Sequence, residues 1–218
     1  MSELMLGTGP CHCDVVHGRA RRVVLTGGPG AGKTAVLEVA RKMVCRHVAI
    51  LPEAAGILFS GGFPREASST ARAAIQRAIF HVQRELEAVA DARDDLALVL
   101  CDRGTLDGHA YWTGAADFFT SVGTTWKDEL ARYQTVIHLE VPSPKEGYDH
   151  RNPLRTESVT EAKSIDAAIR LAWDPHPDRV FVEADVDFVK KTLAALRAIH
   201  RALPPCCTTA SERPTHDR

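Results

Sequence analysis

Gly27-Gly28-Pro29-Gly30-Ala31-Gly32-Lys33-Thr34 fits the phosphate-binding loop pattern G-x-x-x-x-G-K-[ST] (Walker A) at every fixed position. The flanks agree with the motif. Val23-Val24-Leu25 before it reads as a buried strand, and 34–44 after it reads as a helix with Val36, Leu37, Ala40 and Val44 on one face. Glycines let the loop curl so that successive N–H groups point inward at phosphates, and the start of the following helix adds a partial positive charge. The pattern therefore implies a bound nucleotide. Lys33 is expected to reach the β- and γ-phosphates, and the Thr34 hydroxyl to sit on Mg²⁺, a hard cation that takes oxygen ligands.

Outward from this loop, short apolar segments alternate with amphipathic ones. Strands are predicted at 23–26, 47–51, 96–101, 135–141 and 179–182, each short and apolar as strands covered on both faces should be. Helices are predicted between them. The longest runs over 66–92, with Ile75, Ile79, Val82, Leu86 and Val89 facing the sheet. Two short helices within 117–132 are broken at Val122-Gly123, another helix spans 157–173, and the last covers 187–203 with Val189, Leu193, Leu196 and Leu203 toward the core. The expected fold is α/β, a doubly wound and mainly parallel sheet of five strands.

The 218 residues suffice for one such domain, expected over 21–203, with a loose leader at 1–20 containing Gly7, Gly9 and Pro10 and a flexible tail at 204–218. Lysine plus arginine (27) nearly balances aspartate plus glutamate (28), which argues against nucleic acid or an anionic membrane as partner and leaves small solutes. No run of about eighteen apolar residues and no signal-peptide core is visible, so a cytoplasmic location is expected. Of the six cysteines, Cys45 and Cys101 read as small buried hydrophobes. Cys11-His12-Cys13 and Cys206-Cys207 hold soft ligands in both terminal segments, but their spacing fits no common zinc pattern, so a structural metal is not expected.

The third predicted strand decides which chemistry the loop serves. It ends Leu100-Cys101-Asp102-Arg103-Gly104. A remodelling or RecA-type ATPase would follow the Mg²⁺-associated aspartate with a water-polarising glutamate, and Arg103 stands there instead. A Ras-type GTPase would need D-x-x-G here and N-K-x-D later, and neither occurs. Asp102, at the carboxyl edge of a central strand, is placed to hold Mg²⁺, or else to cap a helix. Glu53, two residues beyond the second strand, is expected to face the same crevice, where it resembles a glutamate of deoxynucleoside kinases and would on that likeness be the base, or else merely favours a helix N-terminus begun by Pro52. Asp107 is the reserve base, sharing a face with Arg103 if a helix starts at Gly104. Arg103 suits phosphate oxygens, or an ion pair. Trp173 reads as core, and Tyr111 and Trp112 as core or as the wall of an acceptor pocket.

Asp102-Arg103 downstream of the loop resembles the nucleoside and nucleotide kinase branch. The stretch Asp102-Arg103-Gly104-Thr105-Leu106-Asp107-Gly108-His109-Ala110-Tyr111-Trp112, with Pro52-Glu53-Ala54-Ala55, Tyr148-Asp149-His150-Arg151-Asn152-Pro153-Leu154-Arg155-Thr156-Glu157 and Trp173-Asp174-Pro175-His176-Pro177, is similar to NadR-type P-loop domains, loosely grouped with AAA ATPases. The resemblance covers about 21–200. It implies ATP as phosphoryl donor, Mg²⁺, a hydroxyl on a nucleoside-like small molecule as acceptor, and a closing lid near 142–156 with Arg155, or less favourably Arg151, reaching the β,γ-phosphates. It also admits the alternative of a nucleotide-binding regulatory switch with slow hydrolysis. The acceptor and the oligomeric state are not legible.

Overall fold

The computed structural model describes residues 4–11, 16–142, 158–185 and 187–208. The chain runs β1 (Met5–Leu6), β2 (Arg21–Thr26), α1 (Lys33–Met43), β3 (Val48–Leu51), α2 (Ala54–Ser60), α3 (Ser69–Asp91) and β4 (Leu98–Asp102), then a 3₁₀ helix (Thr105–Tyr111). After it come α4 (Phe118–Ser121), α5 (Trp126–Leu130), β5 (Thr135–Leu139), α6 (Val159–Ala172), β6 (Arg179–Val182), α7 (Phe188–Ala202) and the single turn α8 (Pro205–Thr208).

The strands form one sheet in the order β1-β3-β4-β2-β5-β6. β2 is central, parallel to β4 on one side and β5 on the other, and β3 lies parallel to β4. Because Leu25 stands opposite Asp102 and Leu51 opposite Cys101, the carboxyl ends of β2, β3 and β4 deliver the glycine loop, Pro52-Glu53 and Asp102-Arg103 to one edge. Alternation along β2 explains the two cores. Val23 and Leu25 point into a cluster with Val36, Leu37 and Ala40 of α1 and Ala195 and Ile199 of α7, while Val24 points into one with Phe80, Phe118, Ile169 and Trp173.

Several expectations change. The sheet has six strands, because Met5-Leu6, placed in the loose leader, pairs antiparallel with β3. Gly7 reads as a breaker in sequence, yet its missing side chain is what permits this approach. A Cβ there would lie 2.3 Å from the Val44 carbonyl oxygen. The tail likewise begins with a helical turn that buries Cys207. Val189 and Leu193 of α7 face solvent at 63% and 47% exposure, and Lys191 is buried in their stead because its ammonium donates to the carbonyls of Ala31 and Glu140. Val89 of α3 is also exposed, displaced from the buried stripe by Gln83 and Glu87. The break at Gly123, with φ of 75°, separates α4 from α5 as expected. The lid segment beyond residue 142, with Arg151 and Arg155, lies outside the described residues.

Candidate active site

The glycine loop leaves β2 through Gly27, whose φ of 132° is closed to side chains and whose Cβ would strike the Leu139 carbonyl oxygen at 2.1 Å. Gly28, Pro29, Gly30 and Ala31 complete the curve, and Gly32, at φ 94°, is the residue from which α1 departs. Lys33 is buried, and its ammonium donates to the carbonyls of Gly27 (2.8 Å) and Gly28 (3.0 Å). Burial and the nearby Arg103 cation lower its pKa to about 8, against the pull of Asp102, Glu53 and Asp107. Thr34, one residue on, is exposed at the mouth of the loop. A side chain that sequence reasoning missed holds the loop from the other side: Asp166 of α6 accepts from the Gly28 N–H (2.6 Å) and lies 3.1 Å from His138 Nε2. Burial works against the Asp166 carboxylate, but the His138 hydrogen bond and the Gly28 N–H outweigh it and hold its pKa down. The clue was a lone acid in the apolar stripe Ala162, Asp166, Ile169, all three of them buried.

Asp102 ends β4, 7% exposed. Burial raises its carboxyl to about 6, with Lys33 opposing the shift and Glu53 adding to it. Its Oδ1 is buried and has no hydrogen-bond partner among the described residues. A buried carboxylate oxygen left bare suits a hard divalent cation, so Asp102 fits Mg²⁺, and Thr34, exposed at the start of α1, offers the hydroxyl that the motif assigns to the same ion. Asp102 does not cap the following 3₁₀ helix, since Gly104 occupies that position.

Arg103 is the one described non-glycine residue at positive φ, 70°. That backbone turn sends its guanidinium back across the loop, where Nε donates to Glu53 Oε1 (2.6 Å) and one terminal nitrogen donates to the Gly27 carbonyl and to Asp107 Oδ2 (both 3.1 Å). Three acceptors fix a conformation that would otherwise be costly. Arg103 thus joins the three strand ends into one constellation. Burial favours protonation of Glu53, but Arg103 and Lys33 overrule it and hold the carboxyl below its ordinary value. Glu53 stands at the N-terminus of α2 without a side-chain capping bond and remains 38% exposed, so a solute can reach it.

Asp107 is spent internally. It is buried and accepts from Thr26 Oγ1 (2.7 Å), Trp173 Nε1 (2.7 Å) and Arg103. Trp173 is fully buried, as the sequence suggested. His176 is buried too, between the carbonyls of Tyr133 and Asp178 (both 3.0 Å).

Beside Glu53 and Arg103 opens a cavity of about 710 Å³. Its far wall is α3, through Ile75, Gln76, Ile79 and Phe80, and its sides are Tyr111, Trp112 and Ile165. Arg65 and Arg72 stand at its rim. The Arg65 guanidinium lies 3.9 Å over the Phe59 ring. A partly apolar cavity lined also by arginines and by the carboxylates of Glu53, Glu66 and Glu161 matches a flat, partly polar ligand. Tyr111 and Trp112 therefore do line a pocket, with the Arg103 guanidinium 5.8 Å from the Tyr111 ring.

Comparison with known proteins bears on this arrangement. The family model described as AAA domain matches residues 22–190. No curated protein matches the chain. Among solved structures, thymidylate kinase from Candida albicans superposes with a TM-score of 0.52 at 14% identity, covering 84% of this chain and 93% of that one. The fold is therefore that of a P-loop kinase-like α/β protein.

Proposed function

This chain belongs to the AAA domain family, and on that premise we propose that it is an ATP- and Mg²⁺-dependent phosphotransferase. It moves the γ-phosphoryl of ATP in line onto a hydroxyl of a nucleoside-like small molecule, in the manner of the NadR-type, ribosylnicotinamide-kinase-like subgroup, and it acts in the cytoplasm. The observation that carries this reading is the 710 Å³ cavity whose wall contains Glu53 and Arg103, with Arg103 bonded directly to the Gly27 carbonyl of the phosphate loop. Donor and acceptor halves share one arginine. Remodelling ATPase chemistry is not favoured by the family name, since Arg103 replaces the glutamate such chemistry needs.

The residues divide the work as follows. Backbone N–H groups of the loop and the Lys33 ammonium take up phosphate charge; a lysine with pKa near 8 regains its full positive charge when phosphate replaces the loop carbonyls. Thr34 and Asp102 would hold Mg²⁺, which when bound neutralises charge on the β- and γ-oxygens. Glu53, kept ionised by Arg103, accepts the hydrogen of the acceptor hydroxyl and aims its oxygen. Arg103 steadies Glu53 and offers its fork to the transferring group. Arg155, to which the resemblance assigns the phosphates, lies outside the described residues.

The test is ATP consumption against a panel of nucleosides and nicotinamide riboside, with nucleoside monophosphates such as thymidylate, which accept on phosphate, as the contrast that would overturn a hydroxyl acceptor. One acceptor should stimulate turnover, and Glu53→Gln should lower that turnover roughly 10²–10⁴-fold while ATP affinity stays within about twofold. Slow hydrolysis that no acceptor stimulates would overturn the assignment in favour of a regulatory switch.

A further inference from the structure

At the opposite edge of the sheet from the phosphate loop, three distant segments meet. Cys45 and His47 lie in the connection between α1 and β3, just before the amino end of β3. Cys11 arrives from the N-terminal segment, which is laid along that connection by the Gly7 N–H to the Val48 carbonyl, the Gly9 N–H to the Val44 carbonyl, and a bridge between Gly9 and Cys45. Cys207 arrives from the other end of the chain, on the turn of α8 begun where the Cys207 N–H donates to the Pro204 carbonyl. The Cys and His ligand atoms of these four residues all lie within 4.8 Å of one another. Cys45, His47 and Cys207 are buried, and Cys11 is half-buried.

We propose that Cys11, Cys45, His47 and Cys207 form a structural Zn²⁺ site that clasps both terminal segments to the α1–β3 connection. Three thiolates and one imidazole are a closed tetrahedral donor set of the kind structural zinc takes, with no position left for substrate water. The distances agree. Zn–S bonds of about 2.3 Å and Zn–N bonds of about 2.05 Å, set at tetrahedral angles, put sulfur about 3.5 Å from nitrogen. His47 Nδ1 lies 3.5 Å from Cys11 Sγ and 3.7 Å from Cys45 Sγ. Nδ1 is thus the ligating nitrogen. The three cysteines are thiols here, so binding one Zn²⁺ releases three protons to solvent and leaves the imidazole neutral. No electron is transferred. Linear spacing hides such a site because the ligands come from residues 11, 45, 47 and 207, so no short C-x₂-C signature exists.

The experiment is metal analysis of the purified full-length chain, followed by Co²⁺ replacement under reducing conditions. The expected result is one Zn²⁺ per chain, loss of stoichiometric zinc in both Cys45→Ser and Cys207→Ser, and retention in Cys101→Ala, whose thiol lies in the other core. Co²⁺ should give the intense visible bands of a tetrahedral centre and thiolate-to-cobalt charge transfer. Should the serine variants fail to fold, His47→Cys keeps the question open to test, for it should retain one metal with a cobalt spectrum shifted to that of four thiolates. Absence of zinc together with absence of a cobalt spectrum overturns the site. So does stoichiometric zinc that survives both serine substitutions with the cobalt spectrum unchanged, or a chain mass showing these cysteines oxidised to disulfide after aerobic purification without metal.

Discussion

Asp102 ties the chemistry of the site to the stability of the fold. Its carboxyl has an ordinary value of 3.8 and stands at about 6 in the folded chain, because burial strips water from the charged form. A carboxyl raised on folding stabilises the native state in acid, where both states hold the proton, and that contribution is lost as pH rises through about 6. At pH 7 the ionised Asp102 thus costs the ligand-free fold about 3 kcal/mol, and at pH 5 about half of that. Asp102→Asn should accordingly stabilise the ligand-free protein at pH 7 by about 1–3 kcal/mol in urea unfolding, with a smaller gain at pH 5, while phosphotransfer falls sharply. Equal or lower stability of the variant at both pH values would remove the reading of Asp102 as a strained cation ligand. Glu53, Asp102 and Arg103 stood out as candidates in the sequence because they lie at or just beyond strand ends. Asp107 stood out only as a reserve base, and its buried bonding role was not legible, since its three partners, Thr26, Arg103 and Trp173, come from three segments of the chain.

At the scale of elements, α3 shows how periodicity reads the position of a helix better than its buried face. Its extent was legible from the apolar stepping, and its N-terminus is secured by the Ser68 hydroxyl accepting from the Ala71 N–H. Yet α3 buries Glu87, which apolar counting assigns to water. The carboxylate accepts from Gln83 (3.0 Å), from the Tyr133 hydroxyl (2.8 Å) and from Arg132, and it pairs with Arg22. Tyr133 in turn accepts from the Thr105 N–H (3.0 Å), so this network props up the 3₁₀ helix that carries Asp107 into the site. Removing one partner strands buried charge. Glu87→Ala should cost about 3–5 kcal/mol by urea unfolding, well above the loss for a surface glutamate such as Glu85, which should stay within about 0.5 kcal/mol. A loss under about 1 kcal/mol would mean that the network is solvated and does not brace the site.

Across the whole molecule, the strands run in the order β1-β3-β4-β2-β5-β6, and strand-helix alternation predicted the five parallel strands of this sheet but neither their order nor β1. The edge strand escaped because two residues carry no period, and what holds them is a glycine contact invisible to hydropathy. Lys33, which the motif assigns to phosphate, is held by two carbonyls of its own loop, with its charge weakened by burial. Nucleotide would replace those carbonyls with anionic oxygens and relieve that cost, so binding should be read as global stability. At a concentration about a hundredfold above its dissociation constant, ATP with Mg²⁺ should stabilise the fold by about 2.7 kcal/mol, or about 5–10 °C in melting midpoint for a chain of this size. Lys33→Ala removes the buried cation, so the ligand-free variant should melt no lower than the parent, while the ATP-dependent shift at the same concentration should largely vanish. A full shift in Lys33→Ala would place the nucleotide elsewhere than on this loop.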